Sequence, residues 1–77
     1  MRDFDEDLDL TGVPCPQNAA RSLLRLTMMD SGEVLRLIID DGEPIDLVPG
    51  SMTDEDHTIL ERVQLDDGRW MLWVEAD

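Results

Sequence analysis

The sequence predicts an α/β domain of the α+β two-layer kind: a four-stranded mixed sheet in βαβαββ order, with two helices on one face. Three observations predict it. Short apolar alternations of strand length flank one long stretch of helical spacing. Clusters of Gly, Pro and Asp punctuate the chain between them. The run Asp66-Asp67-Gly68 joins the last two alternations as a hairpin turn. The 77 residues make one domain, 1–77, with no internal repeat or linker, and a hydrophobic content of 42% supplies a modest core.

Phe4 to Leu10 sets Phe4, Leu8 and Leu10 among acids, a short strand that Thr11-Gly12-Val13-Pro14 ends. Pro16 suits the first helical position, because its missing N–H is one the helix could not pair. From there to Met29, residues Ala19, Ala20, Leu23, Leu24, Leu26 and Met28 fall largely at helical spacing, and Asp30-Ser31-Gly32 supplies the stop. The pair Met28-Met29 reads as core filling at the helix end. Glu33 to Asp41 is the clearest strand, with Leu35, Leu37 and Ile39 on one face and Val34, Arg36 and Ile38 on the other. Asp41-Gly42-Glu43-Pro44 turns the chain. Ile45 to Asp56 contains Pro49 and Gly50, so it reads as a loop leading into one short helix capped by Ser51 or Thr53. His57 to Leu65 and Arg69 to Glu75 are the final strands. One of the sets Trp70, Leu72, Val74 and Met71, Trp73 faces the helices. The other lies on the open face, either as an ordinary outer surface or as a contact patch for a weak homodimer.

Charge sets the function classes. The net charge is −13, and all six basic residues are arginine. Such a field repels phosphate backbones and anionic membrane surfaces, so direct nucleic-acid binding is not expected. A protein partner with a basic docking face is the natural complement, although the acidity serves equally as a solubility or high-salt adaptation. No apolar run approaches the roughly 20 residues of a bilayer span. The acidic start Asp3, Asp5, Glu6, Asp7 is unlike a signal peptide, so a cytoplasmic location, where a lone thiol stays reduced, is expected.

That thiol is Cys15. A lone cysteine is often inert filling. Here it stands just before the first helix in Val13-Pro14-Cys15-Pro16-Gln17-Asn18, where free backbone N–H groups and the helix dipole favour an anion. The flanking prolines stiffen the approach, while the global negative field opposes the anion. A cysteine hydrolase needs a histidine base, and His57, the sole histidine, has no evident reason to approach Cys15. Cys-x-x-Cys redox chemistry lacks its second cysteine. A group carried covalently on sulfur needs one exposed cysteine and docking partners but no base, metal or organic cofactor; persulfide transfer meets that requirement. The competing reading is a binding or regulatory module in which Cys15 is buried and structural.

Metal sites fail on spacing. Asp3, Asp5 and Asp7 begin like a calcium loop, but Leu8 stands where its glycine belongs and Pro14 where its glutamate belongs. Asp54-Glu55-Asp56-His57 are consecutive and read as a solvated charged face.

At these residues the chain resembles the TusA/SirA-like family of small sulfur-transfer proteins. The resemblance runs from Phe4 to Glu75. It includes Leu10-Thr11-Gly12, Cys15-Pro16 opening a helix, Gly32-Glu33-Val34-Leu35, Asp40-Asp41, Pro49 and Gly68-Arg69-Trp70. It implies a βαβαββ fold and a cysteine that accepts sulfane sulfur from a cysteine desulfurase or rhodanese-like donor. The sulfur then passes to an acceptor protein, in one branch toward transfer-RNA thiolation. The implied acceptor position is Cys15, with Gly12, Pro16 and Asn18 as motif neighbours. Asn18 stands where the family's Cys-Pro-x-Pro pattern has its second proline, near the third helical position, where its amide either donates toward a group on Cys15 or is merely tolerated. The sulfur-carrier role survives that change, whereas the transfer-RNA pathway does not follow from it.

Overall fold

The computed structural model describes residues 3–77. Its elements are β1 (Glu6–Asp9), α1 (Gln17–Met28), β2 (Val34–Ile39), α2 (Glu43–Asp54), β3 (Thr58–Gln64) and β4 (Trp70–Glu75). The strands lie in the order β1-β2-β4-β3, with β1 parallel to β2 and the other neighbours antiparallel. Both helices cover one face. There Leu35, Leu37 and Ile39 of β2 and Leu72 and Val74 of β4 pack against Leu26 and Met29 on one side and Ile45, Val48 and Met52 on the other. This is the expected two-layer, mixed-sheet βαβαββ architecture.

The period of two in β4 places Trp70, Leu72 and Val74 toward the helices. Met71 and Trp73 therefore take the open face, yet they are only 6% and 0% exposed. Met71 and Trp73 thus form neither an exposed contact patch nor a solvent-facing outer surface. Strand register instead sets Asp7, Arg36, Trp73 and Glu61 in a row across that face. Arg36 reaches Asp7 at 2.7 Å and lies 3.9 Å over the Phe4 ring. Stacked guanidinium and aromatic groups cover hydrocarbon with their flat faces, here with the guanidinium paired to Asp7.

Two helical details depart from expectation. The second helix is not a loop with one late turn: it spans 12 residues and carries Pro49 inside it. Gly42, at φ +90°, turns the chain into it, and Pro44 fits the first turn, where no N–H partner is lost. An internal proline costs about 3 kcal/mol and a glycine about 1 kcal/mol. Burial of Ile45, Val48 and Met52, each worth about 1.5–3 kcal/mol, outweighs that sum. Ser51 and Thr53 do not cap the helix; their hydroxyls donate to the carbonyls of Leu47 and Gly50.

The first helix is where expected, with Pro16 at its N-cap rather than inside its first turn. Its buried residues are Asn18, Ser22 and Leu26, so two polar side chains share the inward face. Leu24 and Met28 point outward and are 63% and 74% exposed, and of the methionine pair only Met29 fills the core.

Candidate functional site

Cys15 sits half-buried in the connection between β1 and α1, joined to Pro16 by a cis peptide bond. That connection is tied down from three directions. Gly12 donates its backbone N–H to Asp40 Oδ2 at 2.7 Å, just past the end of β2. It does so at φ +79°, a conformation that only glycine adopts at little cost. Thr11 donates its N–H and its hydroxyl to Asp9 Oδ1, at 2.9 and 2.6 Å. Arg69, arriving from the β3–β4 hairpin, donates from Nη1 to Thr11 Oγ1 at 3.0 Å.

Electrostatics follow these bonds. The Thr11 hydroxyl, then its backbone N–H, hold the Asp9 carboxyl below the usual aspartate range. Hydrogen bonds from the Arg69 side chain and backbone do the same for Asp67, and the Asp67 carboxylate in turn pushes the Arg69 guanidinium up. Beside them Trp70 donates from Nε1 to Asp41 Oδ1 at 2.9 Å. Motif pieces scattered through the sequence, Thr11-Gly12, Asp40-Asp41 and Arg69-Trp70, thus meet at one end of the sheet, and Gly12, Thr11, Asp40 and Arg69 fix the loop that carries the sulfur.

The first turn of α1 presents the sulfur differently from expectation. The N–H groups of Asn18, Ala19 and Ala20 are already committed, to Pro14 O at 3.1 Å, Asn18 Oδ1 at 2.7 Å and Pro16 O at 3.0 Å. They are therefore not available to an anion on Cys15. The donor on the sulfur is a side chain: Asn18 Nδ2 lies 3.2 Å from Cys15 Sγ. Asn18 is 1% exposed. Its amide nitrogen is thus within hydrogen-bond distance of the free sulfur.

Cys15 also separates two open hollows. One, of about 370 Å³, lies between the helices and is walled by Asn18, Asp46, Leu47, Gly50 and Asp54. The other, of about 450 Å³, is walled by Gly12, Val13, Asp40, Glu43 and Pro44. Their charged lining residues are all acidic, and Leu47 stands 53% exposed at the rim of the first. A sulfur so placed can be reached by another protein's thiol without unfolding. Asp40, Asp46 and Asp54 are parts of the site that sequence reasoning did not assign; a helix through Pro49 and Gly50 was needed to bring the last two there.

The other candidates lie elsewhere. His57 lines a separate hollow with Leu26, Thr27 and Met29 at the far end of α1, and its Nδ1 accepts the Asp77 N–H at 3.0 Å. A 12-residue helix, about 18 Å long, separates it from Cys15, which removes the histidine base that a hydrolase requires. Of the acids near the start, Asp5 accepts the Val34 N–H at 2.8 Å and Asp7 pairs with Arg36. Among the described residues no three His, Cys, Asp or Glu side chains converge as metal ligands, and no helix is long and apolar enough to cross a membrane.

Comparison with known proteins identifies the family. The family model described as "Sulfurtransferase TusA" matches residues 6–76. A relative from Archaeoglobus fulgidus named "Putative sulfur carrier protein" is 34% identical over 71 residues, covering 92% of this chain and 81% of that protein. The "Sulfur carrier protein TusA" of Allochromatium vinosum is 41% identical over 56 residues, 73% of this chain and 64% of that one. The crystal structure of a SirA-like protein from Desulfitobacterium hafniense superposes with a TM-score of 0.83 over 94% of this chain and 97% of its own. Its 18% identity makes that a likeness of fold.

Proposed function

The chain belongs to the TusA sulfurtransferase family, and on that premise we propose that it is a small sulfur carrier that accepts sulfane sulfur as a persulfide on Cys15 and hands it to a partner protein. One observation supports the assignment to this residue: Cys15 is half-buried, its sulfur lies against a buried amide, and it borders two hollows on a loop pinned at Thr11 and Gly12. A structural cysteine would be enclosed.

In loading, the Cys15 thiolate attacks the outer sulfur of a donor's persulfide. A bond forms between Sγ and that sulfur, the donor's own S–S bond breaks, and its electron pair stays with the donor as thiolate. The donor is a cysteine desulfurase or a rhodanese-like protein, and the acceptor is a second protein thiol. The acidic walls beside Cys15 favour partners whose docking faces are basic. Gly12 and Pro16 shape the loop, Asn18 contacts the sulfur, and no cofactor enters the reaction. The working compartment is the cytoplasm, where a single thiol stays reduced.

Intact-mass analysis after incubation with a cysteine desulfurase and cysteine tests the proposal. The expected result is a gain of about 32 mass units, one sulfur atom, that dithiothreitol removes and that Cys15→Ser lacks. No gain, from a thiol that also resists mild alkylation, would overturn it in favour of a binding module.

A further inference from the structure

We infer that Asn18 lets Cys15 release its sulfur: its side-chain amide stabilises the thiolate left on Sγ as the outer sulfur departs. The inference rests on the sulfur-carrier reading and concerns a position where the family pattern has proline.

The first support is orientation. A buried amide is costly unless both its ends are paired. Asn18 Oδ1 takes the Ala19 N–H at 2.7 Å, which fixes how the amide group is turned. Reversing it would set two donors face to face and press an oxygen against the sulfur. Nδ2 therefore faces Sγ at 3.2 Å and can only donate. The second support is that the backbone N–H groups of Asn18, Ala19 and Ala20 are already committed elsewhere, so none of these three competes with the side-chain amide for the sulfur.

A thioether or thiol sulfur is a weak acceptor, whereas charge strengthens a hydrogen bond about twofold. The Nδ2 bond is thus stronger in any state that carries negative charge on Sγ. In release, an acceptor thiolate attacks the outer sulfur of Cys15–Sγ–S–H. A bond forms between the acceptor's sulfur and the outer sulfur, the Sγ–S bond breaks, its electron pair remains on Sγ, and the proton stays with the transferred sulfur. Charge grows on Sγ, so the donor accelerates the step. In loading the charge leaves Sγ, so the same donor gives no acceleration. Asn18 thereby favours one direction of traffic, which a residue serving only to fill space would not do.

The test compares the two steps in Asn18→Leu, which lacks the donor, and Asn18→Asp, which keeps the shape but only accepts. Each protein is loaded with a desulfurase and cysteine, freed of them, and given excess small-molecule thiol while intact mass is followed. Loading is timed separately at a pH where the thiol is fully ionised. Loss of an oxyanion-type donor typically slows a reaction 100-fold or more, and sulfur's weaker acceptance reduces this to about tenfold. We expect that slowing in release, with loading unchanged or faster. Unaltered release in a variant that loads normally, or equal slowing of both steps, would overturn the inference.

Nitrogen-15 NMR of the unsubstituted protein decides the matter if neither variant folds. The Asn18 side-chain amide protons should shift, and exchange more slowly, between the persulfide and the thiolate; identical signals in both states would overturn the proposal. Failure of the unsubstituted protein to load at all would overturn the carrier reading itself, a result distinct from either outcome for Asn18.

Discussion

The two helices have the same length, 12 residues, and cover the same sheet, yet they break opposite rules. The first has no proline or glycine inside it and puts Asn18 and Ser22 on its buried face. The second carries Pro49 and Gly50 mid-helix and buries only Ile45, Val48 and Met52. Local backbone preference holds the first, which leaves room on its inner face for polar side chains. Burial holds the second, against its own backbone preference. Polar residues inside a small core thus mark the helix that contacts Cys15, and apolar residues mark the helix that closes the core.

The largest way to break this comparison is Met52→Ala. Met52 is fully buried, and truncating such a residue costs about 2–5 kcal/mol, a large share of a small domain's stability. Urea unfolding should show that loss while the folded fraction still loads sulfur. A change under about 1 kcal/mol would mean that α2 does not depend on burial. On the first helix, Ser22→Ala removes the hydroxyl that donates to the Asn18 carbonyl at 2.9 Å, and unfolding should register about 0.5–1.5 kcal/mol with loading intact. The smallest effect has the opposite sign. A Cβ at Gly50 meets nothing within 4 Å, so Gly50→Ala should stabilise the protein by about 0.5–1 kcal/mol, read as a raised Tm. A lowered Tm there would show that α2 needs glycine's backbone freedom.

The same contrast explains what the sequence reveals. Element order, β2, α1, the final hairpin and Cys15 at a helix entrance were all legible, because period and punctuation are local. The phase of α1 was not. Leu24 and Met28 look like core residues to a pattern that counts only hydrophobicity, and the inward positions went instead to Asn18 and Ser22. Nor was α2 legible, since Pro49-Gly50 is a breaker unless three buried side chains outweigh it. Trp73 has the composition of an exposed patch on an uncovered face, and only strand register shows Arg36 beside it. Within the site, Asp40 and Arg69 were parts of a resemblance without a role. Their task, fixing the Gly12 and Thr11 backbone, depends on pairings 28 and 58 residues apart in sequence.

The two outermost strands carry a last consequence. Three of the four residues of β1 are acidic, and β3, at the other border, has a register irregularity between Ile59 and Glu61. A sheet's rim of unpaired amides and carbonyls is a template for adding foreign strands, and short length, charge and bulges are what blunt it. Both rims are blunted here, one by carboxylates and one by geometry. Copies meeting rim to rim lack a straight, neutral strand to pair with, so crowding does not readily turn this small sheet into the seed of a fibre.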